Sequence, residues 1–380
     1  MKHYFLTGST GSLGLSFLPL LLAAMPAARI HCLVRDPERS PLRPDGLRHL
    51  FPNAQDFADA SERIKLVKGD VTLPRLGLRE GDWSRLTSEV DQVVHMAASV
   101  DFLSGLEEAR LLNVTGTQQV LDFVRACARR DSPEFRVCHV STAYVCGQRR
   151  GLLREDELDA GIDFWNHYER SKAESELLMR GLATEVPVTV VRPSQIIGDA
   201  QSGQVHKYFG FYEFVGLAVR GRSNVLVADR EARPDMIPVD YVARGMLHLM
   251  QRPDAIGRTY HLAAGLQASQ PVATVVDLVL ELMSDMPELK ARVGSPRVLR
   301  ADELDTALSP AERKAFEFSP QKLLLRSYAP YLDYERDFDV SATQSLLSAA
   351  GIALPDMAET IRRTTRYALA QRHRQPLPAA

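Results

Sequence analysis

The chain has 380 residues, 45 % hydrophobic and 25 % charged, a composition that suits an ordinary globular protein with one large α/β domain and a smaller lobe. A formal net charge of −2 gives no overall attraction to nucleic acid or anionic lipid, and neither partner is expected. Cys32, Cys127, Cys138 and Cys146 show neither C-x-x-C pairing nor metal-ligand spacing, which argues against a disulfide framework or a metal site and for a reducing, cytoplasmic setting.

The pattern begins almost at the first residue. His3–Thr7 reads as a short strand, Gly8-Ser9-Thr10-Gly11-Ser12-Leu13-Gly14 as a glycine-rich turn, and the apolar run that follows as a buried helix. Such a turn lets backbone N–H groups at a helix N-terminus approach the pyrophosphate of a dinucleotide, which a side chain would prevent. Phe17 to Met25 resembles the apolar stretch of a signal peptide, but the turn before it makes a core helix the better reading, and it is too short to span a bilayer.

Arg29–Val34 is the next strand, and it runs into Arg35-Asp36. The end of a second strand is where an adenine ribose is read. Arg35 there suits the 2′-phosphate of NADPH, with Arg39 or Arg43 as second contacts, whereas Asp36 offers an alternative partner for the 2′-hydroxyl of NADH. NADPH is the expected cofactor, NADH the weaker candidate.

Further apolar, β-branched runs follow at Ile64–Lys68, Gln92–Met96, Arg136–Ser141, Val188–Arg192 and Thr259–Leu262. They alternate with helical patterns over Leu106–Arg130, Tyr168–Thr184 and Asp240–Gln251. This predicts an α/β, Rossmann-type, doubly wound parallel sheet covered on both faces. The fifth run ends in Ser141-Thr142, two hydroxyls placed where sheet ligands bind. Tyr168 and Lys172 are four positions apart, on one face of a predicted helix. An ammonium near a phenol stabilises the phenolate and so brings tyrosine, a poor acid or base at its ordinary pKa, within reach of proton transfer. Thr142 is placed to hold a substrate carbonyl beside Tyr168.

Beyond Gly198 the texture changes, with an aromatic Tyr208–Arg220 stretch, a short strand at Asn224–Val227, and helices over Val272–Met283, Ala311–Phe316, Ser341–Ala350 and Met357–Gln371. The expected division is a dinucleotide-binding domain of residues 1–198 plus about 236–265, a mainly helical substrate lobe of about 199–235 plus 266–372, and a frayed tail, 373–380. The aromatic stretch reads as pocket wall or as ordinary core, and His206, Arg230 and Arg233 as phosphate contacts or as solvated charge.

Several segments, taken in order, resemble the extended short-chain dehydrogenase/reductase family, and within it the male-sterility or thioester-reductase group, which includes fatty acyl-CoA reductases. They are Gly69-Asp70-Val71-Thr-Leu-Pro-Arg-Leu-Gly77, Val94-His95-Met-Ala97-Ala98, Asn113-Val-Thr-Gly-Thr, Ser141-Thr142-Ala-Tyr, Arg192-Pro193-Ser194-Gln-Ile196-Ile-Gly198 and Asp235-Met-Ile-Pro238-Val-Asp240. Ser12 departs from the pattern, since many relatives carry an aromatic residue there.

The resemblance implies that Asp70 and Val71 lie near the adenine and Ala97 and Ala98 near the nicotinamide-side ribose. Pro193 and Ile196 would border the nicotinamide, and Ser141 and Ser194 would be among the other cofactor-binding residues. Lys172 would also bond its ribose, and Asn113 would position Lys172 through a water. It further implies pro-S hydride delivery to an acyl thioester, CoA- or carrier-bound, or to a related carbonyl, giving aldehyde or alcohol. A ketone, enone or epoxide-derived substrate, sugar-nucleotide epimerisation or dehydration, and a non-catalytic NADP-binding regulator are the competing readings. The residues do not decide the oligomeric state.

Overall fold

The computed structural model describes residues 1–51, 53–128, 134–220, 225–290, 296–332 and 336–372. The expected tail at 373–380, the end of the predicted helix at 129–130 and the first residue of the predicted strand, Asn224, lie outside them.

Side chains point alternately to the two faces of a strand, and here both faces are apolar. β1 (His3–Thr7) sends Tyr4 and Leu6 into one hydrophobic cluster and Phe5 into another, all buried. β2 (Arg29–Val34), β4 (Gln92–His95), β5 (Arg136–Val140) and β6 (Val188–Pro193) likewise feed both clusters, while the edge strands β3 (Ile64–Lys68) and β7 (Thr259–Leu262) are less fully covered, with Lys65 and Lys68 exposed on β3 and only one cluster joined by β7. These strands form one sheet in the order β3-β2-β1-β4-β5-β6-β7. Every pairing in it is parallel.

Parallel neighbours need crossover helices, and these cover the two faces. α1 (Ser12–Ala24) lies on one face with the later helix Val239–Met250, while α2 (Gly116–Ala128) and α3 (His167–Leu182) lie on the other. The strand order reverses about β1, so the turns after β1 and β4 flank a crevice at the carboxyl edge, where open α/β sheets bind ligands.

The predicted helix over 106–130 is not uniform. Leu106–Arg110 and α2 are α-helical, but Leu111–Thr115 is a π turn, a feature often found near functional sites, and it carries Asn113. The aromatic stretch forms α4 (Phe211–Val219). α5 (Val239–Met250), α6 (Val272–Ser284), α7 (Pro320–Leu332) and α8 (Met357–Arg372) follow, with α8 packed on α4 and α6. The sequence reading missed α7, whose Ala329-Pro330 places a proline near its end where a helix-breaking residue was the visible signal. Two-stranded parallel pairings stitch the later chain to the sheet: Gln195–Ile197 with Met236–Pro238, and Leu152–Leu153 with Asp337–Phe338. The buried Asp235 carboxylate adds a clamp, accepting from the Ser194 hydroxyl at 2.5 Å and from the Ala264 and Gly265 amides at 2.9 and 2.8 Å.

Candidate active site

The glycine turn is shaped by close approach. Gly8 has φ 73°, and a Cβ added there would lie 2.5 Å from Ala97 N, while one at Gly14 would lie 2.5 Å from Ser9 Cα. Gly11 precedes α1 as its N-cap without a capping side chain, and no acidic residue occupies the first turn. A tight cradle with free helix N-terminal amides and no competing carboxylate fits a dinucleotide pyrophosphate. Ser9, Thr10, Ser12 and Leu13 belong to the same turn and first helical turn. Ala97, which follows β4, donates its amide to Thr7 Oγ1 at 3.3 Å, joining the two turns at the strand switch, with Ala98 next in the chain.

Arg35, at the end of β2, is exposed and among the described residues makes no hydrogen bond or ion pair. Asp36 is already used: it accepts from the Glu38 amide at 3.0 Å and faces Arg39 at 3.7 Å. Arg43 is held by Glu38 at 2.6 Å. Of the charged candidates here, Arg35 alone is uncommitted. Asp70 and Val71 follow β3, where Asp70 Oδ1 accepts from the amide and hydroxyl of Thr72 at 2.9 and 2.8 Å and Val71 packs against Gly116.

Thr142, Tyr168 and Lys172 are brought together behind β5. Asn166 caps α3 by accepting from the Glu169 amide at 2.9 Å, which places Tyr168 in the first turn and Lys172 one turn later. Burial pushes the Tyr168 phenol up to about 12, the Thr142 hydroxyl pulls it back, and the Glu169 carboxylate raises it. Burial lowers Lys172 to about 8, opposed by Glu176. Lys172 Nζ donates to the Val140 carbonyl at 2.8 Å. The phenol's hydrogen-bond partner is the Thr142 hydroxyl, and the ammonium gives one of its donors to the carbonyl at the end of β5.

Asn113 Nδ2 donates to Ser171 Oγ at 2.9 Å and its Oδ1 accepts from the Ser99 amide at 2.8 Å, tying the π turn to α3, one residue from Lys172, and to the loop after β4. Two expected cofactor contacts are committed elsewhere. The Ser141 hydroxyl donates to Glu176 Oε2 at 2.5 Å, and the Ser194 hydroxyl belongs to the Asp235 clamp. Pro193 accepts the Thr142 hydroxyl at its carbonyl, 3.3 Å away, and Ile196 lies in the short strand just beyond.

Sequence reasoning also missed the aromatic wall. Phe102 packs against Tyr168, Tyr328 and Tyr331 with ring centroids 5.3, 5.2 and 5.4 Å apart. Tyr328 and Tyr331 line a cavity of about 840 Å³, open mouth included, whose other walls come largely from α4 and α6, with Leu226, Pro234, Met236 and Pro296 beside them, and whose polar exception is Gln195. Phe211 and Phe214 of the aromatic stretch line it, whereas Tyr212 is core and holds the Gly198 amide at 2.8 Å. Arg233 is held by the Ser269 carbonyl at 3.0 Å, and burial lowers His206. Far from this site, at the start of the sheet, His3, His31 and Glu89 bring ligand-type atoms within 4.8 Å of one another, with His3 and His31 in hydrogen-bond contact at 3.2 Å.

Lys172 sits beside two buried histidines, His95 of β4 and His139 of β5. Burial holds His95 down to about 3 and His139 well below its usual value, and the Lys172 charge adds to both. Both are thereby held toward the neutral imidazole, and the Tyr168 phenol is pushed up to about 12, so Lys172, lowered to about 8, is the group of this cluster closest to neutrality. Since it is charged below about 8, kcat/KM for carbonyl reduction is expected to fall as pH rises through that value. Lys172→Met should be slow and flat across the same range, and a retained alkaline limb in that variant would assign it elsewhere.

The sheet order, the glycine turn at its switch point and the Thr142, Tyr168 and Lys172 cluster define an extended short-chain dehydrogenase/reductase, a class of NAD(P)H-dependent oxidoreductases. The chain belongs to the family described as male sterility protein, whose model matches residues 6–246, and within that class to the thioester-reductase group. It is 28 % identical over 269 residues to the nonribosomal peptide synthetase asaC of Aspergillus flavus, covering 68 % of this chain and 26 % of that protein. It is 25 % identical over 365 residues to fatty acyl-CoA reductase 1 of Arabidopsis thaliana, covering 78 % of this chain and 73 % of that one. Among solved structures it is similar to the terminal R domain from the myxalamid PKS-NRPS biosynthetic pathway. The TM-score is 0.78 at 27 % identity, covering 100 % of this chain and 93 % of the other. The chain thus spans about a quarter of the peptide synthetase and most of the reductase and the R domain. Among the described residues no helix is long and apolar enough to cross a membrane.

Proposed function

We propose that this protein is an NADPH-dependent reductase of acyl thioesters, carried on CoA or on a carrier protein, that releases an aldehyde or, after a second reduction, an alcohol. The observation that carries this reading is the apolar cavity joined to Tyr168 through Phe102 and Tyr331. A sugar nucleotide would leave its hydroxyls and diphosphate unpaired against such walls, whereas an aliphatic acyl chain is matched by them. Residues 199–235 and 266–372 are the substrate lobe in this reading, and the setting is the cytoplasm.

A nicotinamide bound at the crevice would supply the hydride. The chain's own groups do the rest. The Thr142 hydroxyl, rotated from the Pro193 carbonyl to the substrate, and the Tyr168 phenol hold the thioester oxygen as it gains charge, and Tyr168 O–H gives up its proton to it. The Lys172 ammonium stabilises the developing phenolate electrostatically. Once the oxygen is protonated, the resulting hemithioacetal loses the thiol and leaves an aldehyde.

The test is loss of NADPH or NADH absorbance with acetyl-, octanoyl- and palmitoyl-CoA, the matching carrier thioesters, ketones and UDP-sugars. The reading expects turnover with octanoyl or palmitoyl thioesters and NADPH, and it falls if no thioester oxidises either cofactor. Arg35→Ala should raise the KM for NADPH by about tenfold to a hundredfold, the worth of a charge-assisted contact, and leave that for NADH nearly unchanged. Equal effects on both cofactors would reject Arg35 as the discriminating residue.

A further inference from the structure

Glu169 follows Tyr168 in the chain and is fully buried, an expensive place for a carboxylate unless something is gained. Its oxygens accept from the Tyr331 hydroxyl at 2.5 Å and the Trp165 amide at 3.0 Å. The Arg336 guanidinium stands 3.9 Å away and lies over the rings of Tyr144 and Tyr331 at 5.4 and 4.9 Å. Asn166, the cap of α3, donates to the same Tyr331 hydroxyl at 2.9 Å. One hydroxyl from α7 is therefore gripped by two residues at the start of the catalytic helix, on either side of Tyr168 in sequence.

Tyr331 is also part of the cavity wall, and its ring packs on Phe102, which in turn packs on Tyr168. Tyr331 thus touches the cavity with its ring and holds the turn carrying Tyr168 with its hydroxyl. A buried ionic cluster is a poor source of stability compared with apolar packing of the same volume, but it fixes geometry.

Building on the reductase reading above, we propose that Tyr331 and Glu169 are a positioning pair that couples occupancy of the apolar cavity to the placement of Tyr168. An acyl chain long enough to reach the cavity presses on the Tyr331 ring, and the hydroxyl transmits that constraint to α3. A chain too short to reach it leaves the grip as it stands and adds no constraint. The catalytic rate should therefore depend more strongly on the Tyr331 hydroxyl for long chains than for short ones.

Tyr331→Phe keeps the ring and the cavity wall and removes only the hydroxyl. Its kcat with octanoyl thioester should fall about tenfold, as expected for a slightly misplaced proton donor, and kcat with acetyl thioester by clearly less, while cofactor affinity holds within about twofold. Glu169→Gln, which keeps an acceptor for Tyr331, should retain more of the octanoyl kcat than Glu169→Ala. The proposal is overturned if Tyr331→Phe has the parent's kcat, if only its KM changes, or if acetyl and octanoyl rates fall together with the folded fraction. A parent protein that reduces no carbonyl compound at all overturns the reductase reading and this proposal with it. A parent that reduces thioesters while the variant matches it overturns the pair alone.

Discussion

Tyr168→Phe should lower kcat for thioester reduction by about a hundredfold to ten-thousandfold, the usual worth of a placed general acid, and leave the fold and cofactor affinity intact. Only one oxygen is lost. The ring stays packed on Phe102, so the aromatic wall of the cavity is preserved. The hydroxyl's interaction within the site is with Thr142, which keeps its own hydrogen bond to the Pro193 carbonyl at 3.3 Å. Stopped-flow measurement of NADPH oxidation would show the loss in the chemical step, and fluorescence titration would show unchanged NADPH binding. A variant with parental turnover would remove Tyr168 from the mechanism. Thr142→Ala should lose less, because it removes a second donor to the oxygen and not the proton source.

Glu176→Leu should destabilise the protein by about 3–5 kcal/mol, because it strands a buried cation. Glu176 and Arg192 are buried side by side, 2.7 Å apart at the closest pair of atoms, and Arg180 and the Ser141 hydroxyl complete the carboxylate's partners. Arg192 also donates to the backbone carbonyls of Glu155 and Glu157, which fixes the segment after β5 against β6. Three arginine and serine donors hold the Glu176 carboxyl below its usual value against the opposing effect of burial. With a folded pKa depressed below the unfolded one, this contribution is present above the ordinary glutamate range and is lost as pH falls through the folded value. Chemical denaturation at neutral pH would measure the deficit, and the difference between parent and variant should shrink under acid conditions. The same substitution removes the charge that raises Lys172, so the alkaline limb of the rate profile should move to lower pH. A loss below about 1 kcal/mol would mean that water enters and solvates Arg192 in the variant.

Glu176 also shows where reading the sequence stops. Period and composition marked every strand of the sheet to within a residue, because a strand buried on both faces is a continuous apolar run between turns. The glycine turn was equally visible, since Gly8 and Gly14 occupy places where a Cβ would strike backbone. Tyr168 and Lys172 could be paired by helical spacing. Asn113 was singled out by resemblance and Thr142 by its place at the end of a strand, but the partner of each is non-local: Asn113 meets Ser171 across 58 positions and Thr142 meets Pro193 across 51.

By itself, then, the sequence determined the doubly wound sheet, the dinucleotide crevice and the candidate Tyr168, Lys172 and Arg35, all of which follow from local periodicity and from residue type at a strand end. Tertiary structure alone decided that Ser141 and Ser194 serve buried carboxylates, that Lys172 is turned to β5, and that Phe102, Tyr328 and Tyr331 meet beside Tyr168. The reason is the same in each case. A hydrogen bond or ring contact between residues far apart in the chain depends on how helices and strands pack, and no local pattern encodes it.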